Sequence, residues 1–202
     1  MSTVAEAVGA IRAGALVVVP TDTVYGLACT PYRDGPVRAL SALKGRSPEQ
    51  PIALVAASVD WVLECVPELR GRAAVAARAL LPGPFTLVLP NPARRFPWLA
   101  GSRADTIGVR VPDVHGVGRA FLDHAGAVAA TSANLHGGAD PRRLDDVPDA
   151  IRRRVAVALD GGELPGLPST VLELTAAEVV VLREGAVPAV EALARVEKAI
   201  AQ

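Results

Sequence analysis

Short apolar segments, each closed by proline or by small polar residues, are the feature that most constrains the fold of this chain. Residues 16–19 run into Pro20, and residues 127–130 run into Thr131 and Ser132. Apolar runs this short, bounded by turn-forming residues, are typical of buried β-strands. We therefore predict strands at residues 16–19, 52–56, 85–89, 106–111, 127–130, 155–159, 170–174 and 178–182.

The segments between these strands have the periodicity and the end signals of helices. Thr3 and Glu6 have the spacing of a capping box, and Gly14 follows as a stop signal. We predict helices at residues 3–13, 34–43, 58–65, 68–80, 114–124, 147–154 and 188–200. Because helices and strands are mixed without strict alternation, the order favours a mixed α/β fold, with a mixed sheet covered by helices. The sequence has no internal repeat or linker, so we predict one domain over residues 1–202.

The composition narrows the classes of function. Hydrophobic residues make up 50% of the 202 residues and aromatic residues only 3%, so the core is aliphatic and few rings could stack on unpaired bases. Basic and acidic residues balance at 21 each, which argues against a broad nucleic-acid-binding face. We interpret the arginine run at residues 152–154 as a solvated helix end. Cys29 and Cys65 are too few and too far apart for a disulfide framework or a zinc site, and we interpret both as small buried hydrophobes.

Several common functional signals are missing from the sequence. It has no Walker A loop, no Gly-x-Gly-x-x-Gly after a strand, no His-Glu-x-x-His and no Gly-x-Ser-x-Gly. The three histidines, His115, His124 and His136, are scattered. We find neither a signal peptide nor an apolar stretch long enough to span a bilayer, so we expect a soluble, cytoplasmic protein without a membrane partner.

Lys44 is unusual because the 21 basic residues include only one other lysine, Lys198. It precedes Gly45 and Arg46, and an ammonium beside a guanidinium is suited to holding a polyphosphate. The alternative is a helix C-terminus, with Gly45 as the left-handed cap and Arg46 in solvent. This segment taken alone favours the helix end.

Small polar residues follow several of the predicted strands. Ligands of α/β proteins bind at such strand ends, although each residue taken alone is explained equally well as a turn or cap. Together with Lys44, Arg46 and Arg110 they provide donors for an anion and hydroxyl partners for a ribose or an amino acid, without an obvious nucleophile. This set favours binding of a phosphate-bearing substrate over hydrolysis. Its members are Thr21, Asp22, Thr23, Ser132, Asn134, Ser169, Thr170 and Arg183.

Six segments, in this order, resemble the YrdC/TsaC family of L-threonylcarbamoyladenylate synthases. The resemblance extends over about residues 5–187 and implies a twisted, mostly open mixed sheet around a concave basic cavity. It implies a nucleotidyltransferase that converts L-threonine, bicarbonate and ATP to threonylcarbamoyl-AMP and pyrophosphate. Separate transferase proteins would then modify the adenosine next to the anticodon of tRNA. The segments are residues 20–27, 44–46, 82–88, 109–112, 132–134 and 169–171.

The resemblance also implies roles for individual residues. ATP would be bound by Lys44, Arg46, Thr106, Ser132, Asn134 and Arg183, and L-threonine by Thr23, Arg110 and Ser169. Of these, Lys44, Arg46, Ser132 and Asn134 would take part in catalysis, with Lys44 as an electrostatic clamp on the triphosphate. Mg²⁺ would arrive with ATP, because the sequence contains no dedicated metal site. A weak contact with RNA is left open as a further partner.

The sequence departs from the family pattern in several places. Gln50 replaces an asparagine, Val55 replaces a histidine near threonine, and Pro168 replaces an acidic residue. The segment 135–140 lacks the usual serines, and the chain resembles the short form, which has no additional C-terminal domain. Two other functions are considered: a non-catalytic RNA-binding or ribosome-associated paralogue, and a domain that makes carbamoyl-adenylate for another acceptor. The neutral charge, the few aromatics and the intact set around Lys44 favour the synthase.

Overall fold

Nine strands and seven α-helices form the described part of the chain, residues 2–200, in the computed structural model. The strands are β1 Val17–Pro20, β2 Tyr25–Cys29, β3 Ala53–Ala56, β4 Phe85–Pro90, β5 Thr106–Arg110, β6 Ala127–Ser132, β7 Val157–Ala158, β8 Thr170–Glu173 and β9 Val180–Arg183. The helices are α1 Val4–Ala13, α2 Asp34–Lys44, α3 Val59–Cys65, α4 Gly71–Leu80, α5 Gly116–Ala125, α6 Asp149–Arg152 and α7 Ala189–Ile200.

All nine of these strands belong to one sheet, in the order β7-β1-β2-β6-β3-β5-β4-β8-β9. The pairs β1–β7, β3–β5 and β4–β8 are parallel, and the other neighbours are antiparallel. The predicted mixed sheet with flanking helices is therefore confirmed. Strand β2 was not predicted: it pairs with β1 on one side and with β6 on the other, so the polar turn after β1 connects a hairpin.

Alternation along the strands gives the sheet two different faces. In β4, Phe85, Leu87 and Leu89 are buried, whereas Thr86 and Val88 between them are partly exposed. Strand β8 repeats this alternation, and so does β5 from Ile107 onward. Successive side chains of a strand point to opposite faces, so one face of these strands is packed and the other is partly open.

Helices cover the two faces unequally. On the packed face, aliphatic side chains of the strands join those of α2, α3, α4, α6 and α7 in a single large cluster. On the opposite face, α1 and α5 pack over β1, β2 and β6 through a smaller cluster that includes Ile11 and Phe121. These two helices leave that face of β4, β5, β8 and β9 open, and the open part becomes the wall of a cavity.

Local signals explain several boundaries. Thr3 and Glu6 form the predicted capping box, with Thr3 N–H donating to Glu6 Oε2 at 2.7 Å and Glu6 N–H donating to Thr3 Oγ1 at 3.2 Å. Gly14 ends α1 in the left-handed conformation. The predicted helix at 147–154 and strand at 155–159 are both shorter than expected, because only Asp149–Arg152 and Val157–Ala158 form regular structure.

The interpretation of the two cysteines as small buried hydrophobes is confirmed for one of them. Cys29 is buried as predicted, but Cys65 is only half-buried.

Within residues 2–200, no helix has both the length and the apolar character needed to cross a membrane.

Candidate functional site

A cavity of about 320 Å³ lies on the open face of the sheet. Small residues of the central strands, such as Ala53 and Gly108, form part of its wall and leave space above the sheet. Polar residues from several strands and loops complete the lining. Those that carry the chemistry are Arg46, Thr86, Arg103, Thr106, Arg110, Thr131, Ser132, Asp140, Ser169 and Arg183.

The C-terminus of α2 directs two cations toward the end of β6. Lys44 is the last residue of the helix, and Gly45 caps it with φ 67°. The Lys44 ammonium donates to the Ser132 carbonyl oxygen and, at 2.8 Å, to Asn134 Oδ1. Arg46, one residue beyond the cap, donates to Thr131 Oγ1 at 3.1 Å. The glycine turn therefore places both cations beside the same strand end.

Ser132 and Asn134 form a tight polar turn after β6. The Ser132 hydroxyl donates to Asn134 Oδ1 at 2.7 Å, and Asn134 Nδ2 donates to the Gly138 carbonyl at 2.5 Å. The His136 N–H donates to the Lys44 carbonyl oxygen at 2.9 Å. Because the helix end and the turn hold each other, the positions of Lys44 and Ser132 depend on one another.

A second group of residues surrounds Arg110 at the end of β5. Its Nη2 donates to Asp22 Oδ1 and, at 2.6 Å, to Thr23 Oγ1. The Arg110 and Asp22 side chains are only 11% and 8% exposed, so this is a buried ion pair. Arg110 Nε has no hydrogen-bond partner within residues 2–200. The guanidinium is thus fixed in place, and its unpaired nitrogen is itself buried.

The third group joins the start of β8 to the end of β9. Arg183 donates to the Ser169 carbonyl oxygen at 2.8 Å and to Ser169 Oγ at 3.2 Å. The Ser169 and Thr86 hydroxyls lie 2.8 Å apart across the parallel strands β4 and β8. Arg183 therefore has hydrogen bonds to neutral oxygens and forms no ion pair within residues 2–200.

A loop anchored on Tyr25 supports this edge of the cavity. The Tyr25 side chain is buried, and its hydroxyl lies 2.8 Å from the Gly162 carbonyl oxygen and accepts from Gly161 N–H at 2.9 Å. Farther along, Gly166 N–H donates to the Thr23 carbonyl oxygen at 2.8 Å. These bonds position the chain that leads to Pro168 and Ser169 in the cavity wall.

The electrostatics of the cavity are strongly positive. Burial, followed by the charge of Arg46, lowers the pKa of Lys44 to about 8. Burial, followed by the charge of Arg183, lowers the pKa of Arg46. In the part of the chain that the structure describes, none of these three cations pairs with a carboxylate. Cations that destabilise one another in this way are stabilised by a bound anion.

The structure brings together all nine residues that the family resemblance assigned to the site. Three of them lie just behind the cavity wall: Lys44 and Asn134 contact Ser132, and Thr23 contacts Arg110. The other six line the cavity directly: Arg46, Thr106, Arg110, Ser132, Ser169 and Arg183. The expectation that Arg46 points into solvent, attached to the helix-end alternative, is wrong.

The unusual positions of the sequence also lie at the site. Gln50 accepts from Arg46 Nε at 3.0 Å, and Val55 and Pro168 line the cavity. Of the segment 135–140, Asp140 lines it.

Sequence reasoning missed Arg103, which lines the cavity and is held by Glu173 through Nη2 and Nη1 at 2.6 and 2.9 Å. This ion pair lowers the pKa of Glu173 to about 2, with the Thr175 hydroxyl as a second cause. Arg103 and Glu173 are 70 residues apart in sequence, so no local pattern indicates their contact.

Comparison with known sequences relates this geometry to characterised proteins. The sequence model of the Sua5/YciO/YrdC family, described as "Telomere recombination", matches residues 9–185. Threonylcarbamoyl-AMP synthase of Pyrococcus abyssi is 33% identical over 198 residues, which are 97% of this chain and 56% of that protein. Threonylcarbamoyl-AMP synthase of Stenotrophomonas maltophilia is 34% identical over 164 residues, which are 79% of this chain and 86% of that protein.

Comparison with solved structures agrees with the sequence matches. The crystal structure of P. abyssi Sua5 complexed with L-threonine aligns with a TM-score of 0.86 at 33% identity. The alignment covers 98% of this chain and 57% of that one. The chain thus spans little more than half of the archaeal protein and most of the bacterial one.

Proposed function

Because the chain belongs to the Sua5/YciO/YrdC family, we propose that it is an L-threonylcarbamoyl-AMP synthase. The reaction converts L-threonine, bicarbonate and ATP to threonylcarbamoyl-AMP, pyrophosphate and water. The product would serve the modification of the adenosine next to the anticodon of tRNA, with separate transferase proteins as downstream partners. We further propose that the enzyme is a cytoplasmic nucleotidyltransferase and that the chain is a single catalytic domain.

One observation carries the proposal: two kinds of anion site open into the same cavity. Among the described residues, Arg46 and Arg183 have no carboxylate partner, as cations that bind a polyphosphate would require. Arg110 also lines the cavity and is fixed there by a buried carboxylate, as a clamp for an amino-acid carboxylate would require. A site for one anion needs only one of these groups.

We assign the triphosphate to the side of the cavity that contains Arg46 and Arg183. Ser132 and Thr106 line the same cavity and provide hydroxyl groups for nucleotide oxygens. Lys44 and Asn134 hold the Ser132 turn from behind. The Lys44 ammonium contributes charge to this side and would approach the phosphates through a small movement of the turn.

We assign threonine to the side of the cavity that contains Arg110. Its carboxylate would accept from the guanidinium, and Thr23 and Ser169 would provide hydroxyl contacts. Val55 pairs with Arg110 across the parallel strands β3 and β5, so the two side chains lie next to each other in the wall. An apolar residue beside the clamp suits the methyl group of threonine.

The mechanism requires alignment and charge stabilisation. Bicarbonate takes up a proton and loses water to give CO₂, which the neutral threonine amine captures as a carbamate with release of a proton. A carbamate oxygen attacks the α-phosphorus of ATP, and pyrophosphate leaves with the bonding electron pair. No covalent nucleophile of the protein is needed, because the two substrates react directly when they are held together. Arg46 and Arg183 would stabilise the charge that develops on the leaving pyrophosphate.

Mg²⁺ that accompanies ATP would neutralise part of the phosphate charge. Within residues 2–200, no three His, Cys, Asp or Glu side chains are grouped as a metal centre. An ion that arrives with the nucleotide needs no such group, since Mg²⁺ is usually held by one or two carboxylates together with substrate phosphates.

The test is pyrophosphate release from ATP, L-threonine and bicarbonate, compared with the same mixture without threonine. We expect release that depends on threonine, and no excess over the threonine-free mixture would refute the proposal. Lys44→Ala should lower turnover by about 100-fold, as does loss of one charge-stabilising donor. Lys198→Ala, which removes an exposed lysine of α7, is the control and should retain wild-type turnover.

An inactive wild-type protein that binds RNA tightly would favour the alternative of a non-catalytic paralogue. If Lys44→Ala retains full activity with an unchanged circular dichroism spectrum, Lys44 is a helix-end lysine without a role in the reaction.

A further inference from the structure

Asp140 is the one acidic residue in the lining of the cavity within residues 2–200. Four arginines share that lining with it: Arg46, Arg103, Arg110 and Arg183. A carboxylate in such a place would normally pair with one of them. Two other carboxylates do so at this site, since Asp22 pairs with Arg110 and Glu173 pairs with Arg103.

The Asp140 carboxylate has no such partner. Among residues 2–200 it neither accepts a hydrogen bond nor forms an ion pair with any basic side chain within 4.0 Å. Its negative charge nevertheless affects the pKa of Lys44 and of Arg183. Burial is the main influence on the pKa of Lys44 and on that of Arg183, and lowers both, whereas Asp140 acts in the opposite direction on each. Asp140 shares the cavity lining with Arg46, just beyond the end of α2, and Arg183, at the end of β9, and we take it to border the space between them.

That space is the one assigned to the triphosphate. Bringing a polyanion next to an unpaired carboxylate costs Coulomb energy. A divalent cation between the two anions removes this cost, and Mg²⁺ characteristically binds one or two protein carboxylates together with substrate phosphates.

We propose that Asp140 is a protein ligand of the Mg²⁺ ion that accompanies the nucleotide. The inference rests on the proposed function, because it requires a triphosphate in the cavity. It explains why a carboxylate is placed among cations without pairing to them: its partner arrives with the substrate. It also limits the ion to the nucleotide complex, since one carboxylate without a grouped set of further ligands holds Mg²⁺ weakly.

The experiment is calorimetric titration of the protein with ATP, with and without Mg²⁺, in the absence of threonine and bicarbonate so that no reaction occurs. In the wild type, Mg²⁺ should tighten ATP binding. In Asp140→Asn, which has the same shape without the charge, this gain should shrink by about 10-fold, which corresponds to about 1.4 kcal/mol. Metal-free ATP should bind that variant several-fold more tightly, because the repulsion is gone.

Two further variants control for shape and for general charge. Asp145→Asn removes a carboxylate that is 95% exposed and pairs with Arg152 at 3.2 Å, and it should leave the Mg²⁺ dependence unchanged. Asp140→Glu keeps a carboxylate and should retain part of the dependence. Electron paramagnetic resonance of Mn²⁺ with ATP provides a second readout: the spectrum of the bound ion should differ between the wild type and Asp140→Asn.

Each other outcome overturns the inference in a different way. If Asp140→Asn keeps the full Mg²⁺ dependence, the nucleotide alone holds the ion. If the variant binds ATP and Mg²⁺·ATP more tightly by the same factor, Asp140 acts as a substitute anion that the phosphates displace. A wild-type protein that binds ATP in neither form would overturn the inference together with the proposed function.

Discussion

Lys44 shows how two interpretations of one residue can both contain a correct element. It ends a helix with a left-handed glycine cap, as the helix-end alternative requires. It is nevertheless only 4% exposed and donates to Ser132 and Asn134 instead of to water. The sequence predicts the cap because the glycine signal is local. It cannot predict the burial, because the partners are 88 and 90 residues away.

Burial of Lys44 leads to a prediction about protons. Its pKa is about 8 in the free protein, lowered first by burial and then by Arg46, with Asp140 opposing. Near pH 8, about half of the free molecules therefore carry a neutral Lys44, and a bound triphosphate favours the charged form. We expect ATP binding near pH 8 to take up a fraction of a proton and to weaken as the pH rises further.

Calorimetry in two buffers of different ionisation enthalpy measures this uptake. Lys44→Met should abolish it, whereas Lys198→Met should not change it. An ATP affinity of the wild type that is constant through this pH range would contradict the prediction. The stability of the free protein should show the opposite trend. Because the folded pKa lies below the unfolded value of 10.5, the penalty for burying the charged lysine is present below pH 8 and is relieved as the pH rises from about 8 to 10.5.

At the scale of single elements, β2 is the strand that the sequence patterns do not predict. Tyr25–Cys29 contains Gly26 and Ala28, which have weak strand propensity, and it becomes a strand because β1 and β6 pair with both of its edges. Its register also places Gly26 opposite Ser132. The turn after β1 and the turn after β6 are thereby neighbours, which their separate sequences could not indicate.

Gly185, just beyond β9, supports the site through close backbone packing. A methyl group there would overlap the Pro168 carbonyl oxygen and the Ser169 backbone. Gly185→Ala should therefore destabilise the protein by about 1–3 kcal/mol, the usual cost of overpacking, and should weaken threonine binding because Ser169 is displaced. Gly35→Ala is the matched control, since no atom lies within 4 Å of the added carbon. It should melt at the same temperature as the wild type or higher.

Thermal unfolding followed by circular dichroism measures the first effect, and titration with L-threonine measures the second. Equal melting temperatures for the two variants would show that the Pro168–Ser169 segment moves aside at little cost.

At the scale of the whole molecule, the net charge is neutral, but positive charge is in excess at the cavity. Basic and acidic residues are equal in number, which argues against a broad basic face. Many arginines, such as Arg38 and Arg119, pair with acids on the surface. Lys44, Arg46 and Arg183 do not pair within residues 2–200, so the balance of the whole chain leaves the cavity positive. Composition alone cannot locate such an excess.

This local excess predicts selective stabilisation by a polyanion. Pyrophosphate, the proposed product, should raise the melting temperature, because a ligand at 100 times its Kd adds about 2.7 kcal/mol, which for a domain of this size is roughly 5 °C or more. Sodium chloride at the same ionic strength should do much less. Arg183→Ala should lose the effect, whereas Arg38→Ala, which removes an exposed and paired arginine, should keep it. Equal shifts with both salts would indicate general screening without a site.

The resemblance assigned polar residues that the structure brings together around one cavity, and the short apolar segments predicted eight of the nine described strands. The remaining features depend on contacts between distant segments. The Arg103–Glu173 pair and the loop held by Tyr25 both join segments far apart in the chain.

The two faces of β4, β5 and β8 have different roles. One face packs against the helices, and the other borders the cavity. Residues that point one way, such as Leu87 and Val109, are fully buried and hold the helices. Residues that point the other way, such as Thr86 and Gly108, border empty space, and a methyl group on Gly108 would meet only ordinary contacts at 3.8 and 3.9 Å. Mutations on the open face can therefore reshape the cavity without disturbing the core. Substitutions at these alternating positions are thus a route by which evolution or protein engineering could fit the cavity to a different ligand.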